Sequence, residues 1–450
     1  MTKKHIVLIG ALSLLLIFIF VGLNYAQNFP RQRERQKTHQ QRSSFTSFTN
    51  NISTPNISFG VQIDPESAKL FCENLKEINA NYTALWIKRN EIDKGNGNYY
   101  WGSVDDKINN LQRCGLKIAV HLQSLKGKDE NFNMSTYMNF LKALSIHYKG
   151  KIERYSIENE AVAEALWPDS PESYFTLLDN AYSTIKQVDP DAIVEESGLS
   201  SVALGIMMSY DLYRSGRKED ALSLAQKFFS QSESLASKTP QNFFDLENIF
   251  NSSDGQRTIN WLRMLKQHQS SIDAIQIHFY GDWDTLQKTL MWLKNQGINK
   301  PIEIWEIAKH YPKNFDENLY AEEMAKLLIT AAGEGSQLTI YIRFFYWKEK
   351  DLPGLWSREG ARPVATTFKI VAEKLNGYSN PSRLNLGEGV YGYKFNKDEK
   401  DIYVVWALNE TKISIPLTGK VKITNILGAV KEADTENLIV DVIPIFIERR

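Results

Sequence analysis

Between Ile57 and Gly377 an apolar, β-prone run recurs eight times, and a helix-like segment follows each one. The runs are ISFGVQI (57–63), YTALWIKR (82–89), LKIAVHLQ (116–123), IERYSIENE (152–160), AIVEESGLS (192–200), IDAIQIHFY (272–280), IEIWEI (302–307) and LTIYIRFFYW (338–347). The intervening segments, such as STYMNFLKALSIHY and AEEMAKLLITAAGEG, place apolar residues three and four apart, the spacing of a half-buried helix. A last helix-like stretch, RPVATTFKIVAEKLNG, closes the series at 362–377. Eight strand–helix units predict an α/β fold, a (β/α)8 TIM barrel over 57–378. A doubly wound open sheet competes, but it rarely repeats in eight even units, and no GxGxxG follows the first strand. In a barrel all strands end on one face, so residues far apart in sequence meet there. The fifth unit, 201–271, exceeds what a return helix requires and reads as an insertion over that mouth.

The flanks differ in texture. Residues 6–23 form an uncharged N-terminal hydrophobic segment behind Lys3, Lys4 and His5, about long enough to span a bilayer. The NYA at 24–26 is a poor cleavage site because Asn24 is large where a small residue is wanted. Residues 1–26 are therefore read as a signal anchor in preference to a cleaved signal peptide. Basic residues lie on both sides of the segment, so charge does not set its orientation. Export is the expectation, with the chain secreted or membrane-anchored and its folded part extracytoplasmic. Residues 27–56 are polar and basic and read as a disordered linker. Short alternating strands fill 379–450, a C-terminal all-β, sandwich-like domain. Six Asn-x-Ser/Thr sequons permit glycosylation outside the cell. Cys72 and Cys114 are either one disulfide or two buried thiols.

Lys plus Arg and Asp plus Glu both number 53, which gives no electrostatic case for a nucleic-acid partner. The membrane enters only through the N-terminal segment. The seven His are scattered, and no HExxH, Cys cluster or phosphate loop occurs, so neither a metal nor a cofactor is expected. The informative residues are two glutamates. Glu160 closes the fourth strand run and Glu306 the seventh, which sets two carboxyls at one barrel mouth. Paired carboxyls flanking a glycosidic bond are what its hydrolysis needs: one gives and takes a proton, the other attacks or activates water. His278 and Tyr280 share parity and face one side of the sixth strand. Glu158 reads as structural, one layer deeper and paired with Arg343, and Glu195 as a rim carboxylate.

These positions are similar to those of the clan A glycoside hydrolases, retaining TIM-barrel glycosidases. The family within the clan is left open, family 39 being the candidate. The resemblance covers roughly 57–378. It rests on Asn159-Glu160 after strand four, Glu306 ending strand seven, His278-Phe279-Tyr280 on strand six, Arg89 near the end of strand two, His121 on strand three and Trp347 ending strand eight. It implies that Glu160 is the acid/base and Glu306 the nucleophile. It also implies that Asn159, Arg89, His121, His278, Tyr280 and Trp347 bind the substrate or support the carboxylates. A carbohydrate substrate follows. The alternative is a catalytically inactive barrel that binds glycan while tethered at the membrane, since fold alone does not guarantee activity.

Overall fold

The computed structural model describes residues 56–95, 97–124, 132–232, 235–310, 315–345 and 353–450. The N-terminal hydrophobic segment, nearly all of the linker, and Trp347 lie outside the described residues. Among those described, no helix is long and apolar enough to cross a membrane.

Nine parallel strands make the central sheet: β1 (Ser58–Val61), β2 (Tyr82–Lys88), β3 (Lys117–Gln123), β4 (Ile152–Ile157), β5 (Ile193–Glu195), β6 (Leu199–Ser200), β7 (Ile275–Tyr280), β8 (Ile302–Ala308) and β9 (Leu338–Tyr341). Their order is β5-β4-β3-β2-β1-β9-β8-β7-β6, and a parallel bridge between Glu195 and Ala274 completes the round. This is the (β/α)8 barrel. The ninth strand arises because the fifth run is split: β5 pairs with β4, β6 pairs with β7, and Glu196-Ser197-Gly198 turns between them. The fourth and eighth runs stop three or more residues short of their sequence boundaries. The fourth ends at Ile157 because Glu158 takes a left-handed φ of 68°, which leaves the pleat. The eighth ends at Tyr341.

Helices cover the barrel's outside and bury their apolar stripes on its outward side chains, Ile157, Ile277, Phe279, Ile304 and Ile307 among them. The insertion is helical, with helices at Ser201–Arg214, Lys218–Ser230, Phe243–Asn251 and Ser253–Gln267, and it has an apolar cluster of its own around Phe229 and Phe250. Cys72 and Cys114 form a disulfide across 42 residues.

The C-terminal part is a six-stranded antiparallel sheet with a second, two-stranded antiparallel sheet, Thr411–Ile413 against Leu438–Val440. Alternation along Lys400–Ala407 gives the sheet two apolar faces. Val404 and Trp406 join the barrel's core, while Tyr403 and Val405 pack in a second cluster with Ile413 and Leu438 of the two-stranded sheet. Tyr393 on this sheet donates to Glu334 at 2.9 Å and accepts from Gln287 at 2.7 Å, fastening the sheet to two barrel helices.

Candidate active site

Glu160 sits in the loop after β4, where the chain bends through a second left-handed residue, Glu160 itself (φ 46°). Such a conformation costs a non-glycine residue about 1 kcal/mol or more, so neighbours must hold it. They do. Glu160 N–H donates to Ser197 O at 2.6 Å and Ala161 N–H to Ser197 Oγ at 3.0 Å. Tyr174 then ties both sides together: its hydroxyl donates to Ile157 O at 3.0 Å and accepts from Ser197 N–H at 2.7 Å. The split in strand five thus supplies the acceptors that shape the Glu160 loop.

Glu306 reaches the interior by a different device. Strict alternation would turn Glu303, Trp305 and Ile307 inward and Glu306 outward. Pairing with β7 slips by one residue, so Ile277 faces Ile304 but His278 faces Glu306. This bulge, one extra residue that re-aims the side chain beyond it, lets Trp305 and Glu306 both face the barrel interior while Ile307 packs outward.

The two carboxyls meet at His278, which is fully buried. Its Nδ1 lies 2.9 Å from Glu160 Oε1 and 3.6 Å from Glu306 Oε2. The Tyr280 hydroxyl donates to Glu306 Oε2. Burial alone would lower the His278 pKa, but the charge of Glu306, then the hydrogen bond and charge of Glu160, then the charge of Glu196, together raise it to about 9. His278 is therefore an imidazolium at neutral pH. Burial pushes the Glu160 carboxyl upward, yet the hydrogen bond and charge of His278 outweigh it and leave its pKa below the ordinary value. Burial, then the Glu306 charge, holds the Tyr280 hydroxyl well above the usual phenol range, so it stays a donor.

The structure thus gathers Glu160, Glu306, His278 and Tyr280, with His121 beside them. His121 is wholly buried, stacks on Trp86 at 4.7 Å and meets His278 edge-on at 5.7 Å. Burial, then the charge of His278, depresses its pKa well below 6.5, so it is neutral. Asn159 brings a buried Oδ1 that has no hydrogen-bond partner among the described residues. Arg89 is placed otherwise: it opens the turn Arg89–Ile92 and its Nε donates to Asp93 at 2.8 Å. Glu158 accepts from Ser124 N–H at 2.8 Å. Glu195 is not at the rim. It is fully buried beside Glu303, and burial, then the Glu303 charge, raises its pKa far above the carboxylate range. Arg154 pairs with Glu303 at 2.9 Å in this deeper layer, and Trp305 Nε1 donates to Glu303 at 3.1 Å.

Several participants escaped the sequence reading. Glu196 in the strand-five break is buried, accepts from Gly198 N–H at 2.8 Å and has a pKa raised by burial to about 8. Gly198 (φ 86°) is required there, because a Cβ would lie 2.7 Å from His278 Nε2. Trp86 and Phe345, with Arg343, which the sequence assigns only to a structural pair with Glu158, line a cleft of about 680 Å³ that opens over Glu306 and Tyr280. Trp86 shares parity with Tyr82 and Ala84 on β2, a signal that was available but is common to any barrel core. His121, His278 and Glu306 present ligand atoms within 4.8 Å of one another, the trio a metal would use. A divalent ion there would have to displace the proton His278 holds between two carboxylates.

No protein-family model and no curated protein sequence matches the chain. Solved structures do match. A family 39 glycoside hydrolase from the gut symbiont Bacteroides cellulosilyticus WH2 is 13% identical, over 88% of this chain and 81% of that one, with a TM-score of 0.61. A glucosidase from Croceicoccus marinus is 11% identical over 88% and 95% at a TM-score of 0.55. A monomeric beta-xylosidase from Caulobacter crescentus CB15 is 12% identical over 88% and 97% at 0.54. The chain has the fold of clan A glycoside hydrolases. At these identities the likeness extends to the fold alone.

Proposed function

We propose that the protein is a glycoside hydrolase that cleaves O-glycosidic bonds of an oligo- or polysaccharide by a retaining double displacement. Glu160 is its acid/base and Glu306 its nucleophile. One observation carries the reading: a single imidazole nitrogen lies 2.9 Å from an oxygen of Glu160 and 3.6 Å from an oxygen of Glu306. Laid end to end, those distances only just reach the shortest gap of an inverting site, roughly 6.5 Å, and any bend at the nitrogen brings the oxygens nearer the ~5–5.5 Å of a retaining one. A pure binding site has no need of opposed carboxyls held at that spacing. The fold shared with a glucosidase and a beta-xylosidase supports a β-linked or equivalently equatorial glycoside as substrate.

In the first step a Glu306 oxygen bonds to the anomeric carbon as the bond to the leaving oxygen breaks. That oxygen takes a proton. The free site stores this proton on His278 Nδ1, within hydrogen-bond reach of Glu160, so the Glu160–His278 pair titrates as a unit. A glycosidic oxygen accepting from Glu160 favours the tautomer with the proton on Glu160, and transfer completes cleavage. Water then gives a proton back to Glu160 while its oxygen displaces Glu306. The Tyr280 hydroxyl orients Glu306 for attack.

The Cys72–Cys114 disulfide suits an oxidising compartment and supports an extracytoplasmic location, with the hydrophobic run 6–23 as anchor. The test is a panel of 4-nitrophenyl glycosides, with β-xyloside and β-glucoside first, and proton NMR of the anomer released. Retention of configuration, labelling of Glu306 by the matching 2-deoxy-2-fluoro glycoside, and azide rescue of Glu160→Ala are expected. Binding of oligosaccharides without turnover of any glycoside would favour the inactive glycan-binding barrel instead.

A further inference from the structure

The insertion sends one side chain into the loop that carries Glu160. Arg257, on the helix Ser253–Gln267, donates from Nε to Val162 O at 2.8 Å and from Nη1 to Asp169 O at 2.6 Å. Its Nη2 donates to Ala161 O at 2.9 Å and to Trp167 O at 2.8 Å. Every hydrogen bond it makes among the described residues goes to a backbone carbonyl of this one loop. The loop's own turns use other carbonyls: Ala163 N–H donates to Glu160 O, and Leu166 and Trp167 N–H to Ala163 O. Three of the four acceptor residues, Ala161, Val162 and Trp167, are buried, and Asp169 is exposed, so an unpaired carbonyl on the buried side is costly. A planar, permanently charged fork with several donors is the side chain suited to gather converging carbonyls at once. The first clamped residue adjoins Glu160, whose left-handed backbone has no rigid element of its own.

We propose that Arg257 is a positioning residue for Glu160: by clamping 161–169 it fixes the Glu160 carboxyl against His278 and the leaving oxygen. The insertion thereby becomes part of the proton-transfer machinery without touching substrate. This inference rests on the reading of Glu160 as proton donor. Losing the clamp lets the carboxyl drift, and a displacement near 1 Å costs about 100-fold where the group's position matters.

The test compares Arg257→Ala with wild type on 2,4-dinitrophenyl and phenyl glycosides of the sugar hydrolysed best in the panel. The phenyl glycoside needs a proton on its leaving oxygen and should lose about 100-fold in kcat/KM, while the dinitrophenyl glycoside should lose less than about 5-fold. Equal losses, or none, would overturn the clamp. If Arg257→Ala does not fold, Arg257→Lys is read the same way, since one ammonium meets at most three of the four carbonyls. Glu160→Ala runs beside it. Uniform loss in that variant sinks the acid/base reading itself; selective loss there with uniform loss in Arg257→Ala sinks only the clamp. A second readout needs no turnover. The NMR titration midpoint of His278, near 9 with Glu160 in place, should fall in Arg257→Ala as the carboxylate moves away. An unchanged midpoint refutes the proposal.

Discussion

His278 is the group whose charge state the fold alters most usefully. Its imidazole is fully buried and faces Glu160 from the loop after β4, Glu306 from β8, Glu196 from the strand-five break and His121 from β3. Three carboxyls against one neutral ring raise its pKa from 6.5 to about 9. The folded value lies above the unfolded one, so the folded chain binds this proton more tightly. The stabilisation is complete below about 6.5 and is lost as pH climbs through about 9. That gap corresponds to roughly 3 kcal/mol, a large share of the ~5–15 kcal/mol that holds a typical domain folded. Urea unfolding of wild type from pH 6 to 10 should show the loss. Glu196, whose pKa burial raises to about 8, adds a loss of the same sign between about 4.5 and 8, so unfolding alone does not isolate His278. Selective 15N,13C-histidine labelling does, with His278→Gln identifying the resonance. The expected midpoint is near 9, and Glu160→Gln, which removes the hydrogen-bonded charge, should lower it by about a unit or more. A midpoint below 7, or one indifferent to Glu160→Gln, would refute the imidazolium bridge and with it the proton store of the proposed mechanism.

Gly198→Ala sets a methyl against the His278 ring at a left-handed position; stability should drop by roughly 2–4 kcal/mol and activity at least 10-fold, read by urea unfolding and kcat/KM. Activity at wild-type level would show that this approach is loose. Replacing both Cys72 and Cys114 by Ser opens a 42-residue loop and should cost up to about 4 kcal/mol, with a matching fall in Tm on adding reductant to wild type only. A chain ending at Gly377 loses Tyr393, Trp406 and their sheet, so the helix surface they cover becomes wet. It should aggregate or melt earlier, and whatever folds should keep its glycoside preference. A changed preference would place the tail in the cleft.

Local pattern carried much of this protein. The eight apolar runs and the periodic helices between them follow from each segment's own need to bury one face, so barrel and strand order were readable from sequence. So was the meeting of Glu160 with Glu306, because a barrel brings strand ends together, and the shared parity of His278 and Tyr280, because a strand alternates. What alternation cannot express had to come from the tertiary structure. The bulge that turns Glu306 inward is a slip between β7 and β8, a property of two strands and not of either. The break at Glu196-Ser197-Gly198 exists because β5 and β6 pair with different neighbours. Glu195 read as a rim carboxylate because sequence shows where a strand ends but not which layer of the interior a residue occupies. The charge on His278 and the lowered pKa of Glu160 depend on carboxyls brought to one nitrogen from positions up to 146 residues apart in sequence. Arg257 lay in a helix with no motif around it; its partners are four carbonyls, and backbone atoms leave no trace in a sequence. Secondary structure is set by neighbours along the chain, and the site's chemistry by neighbours across it.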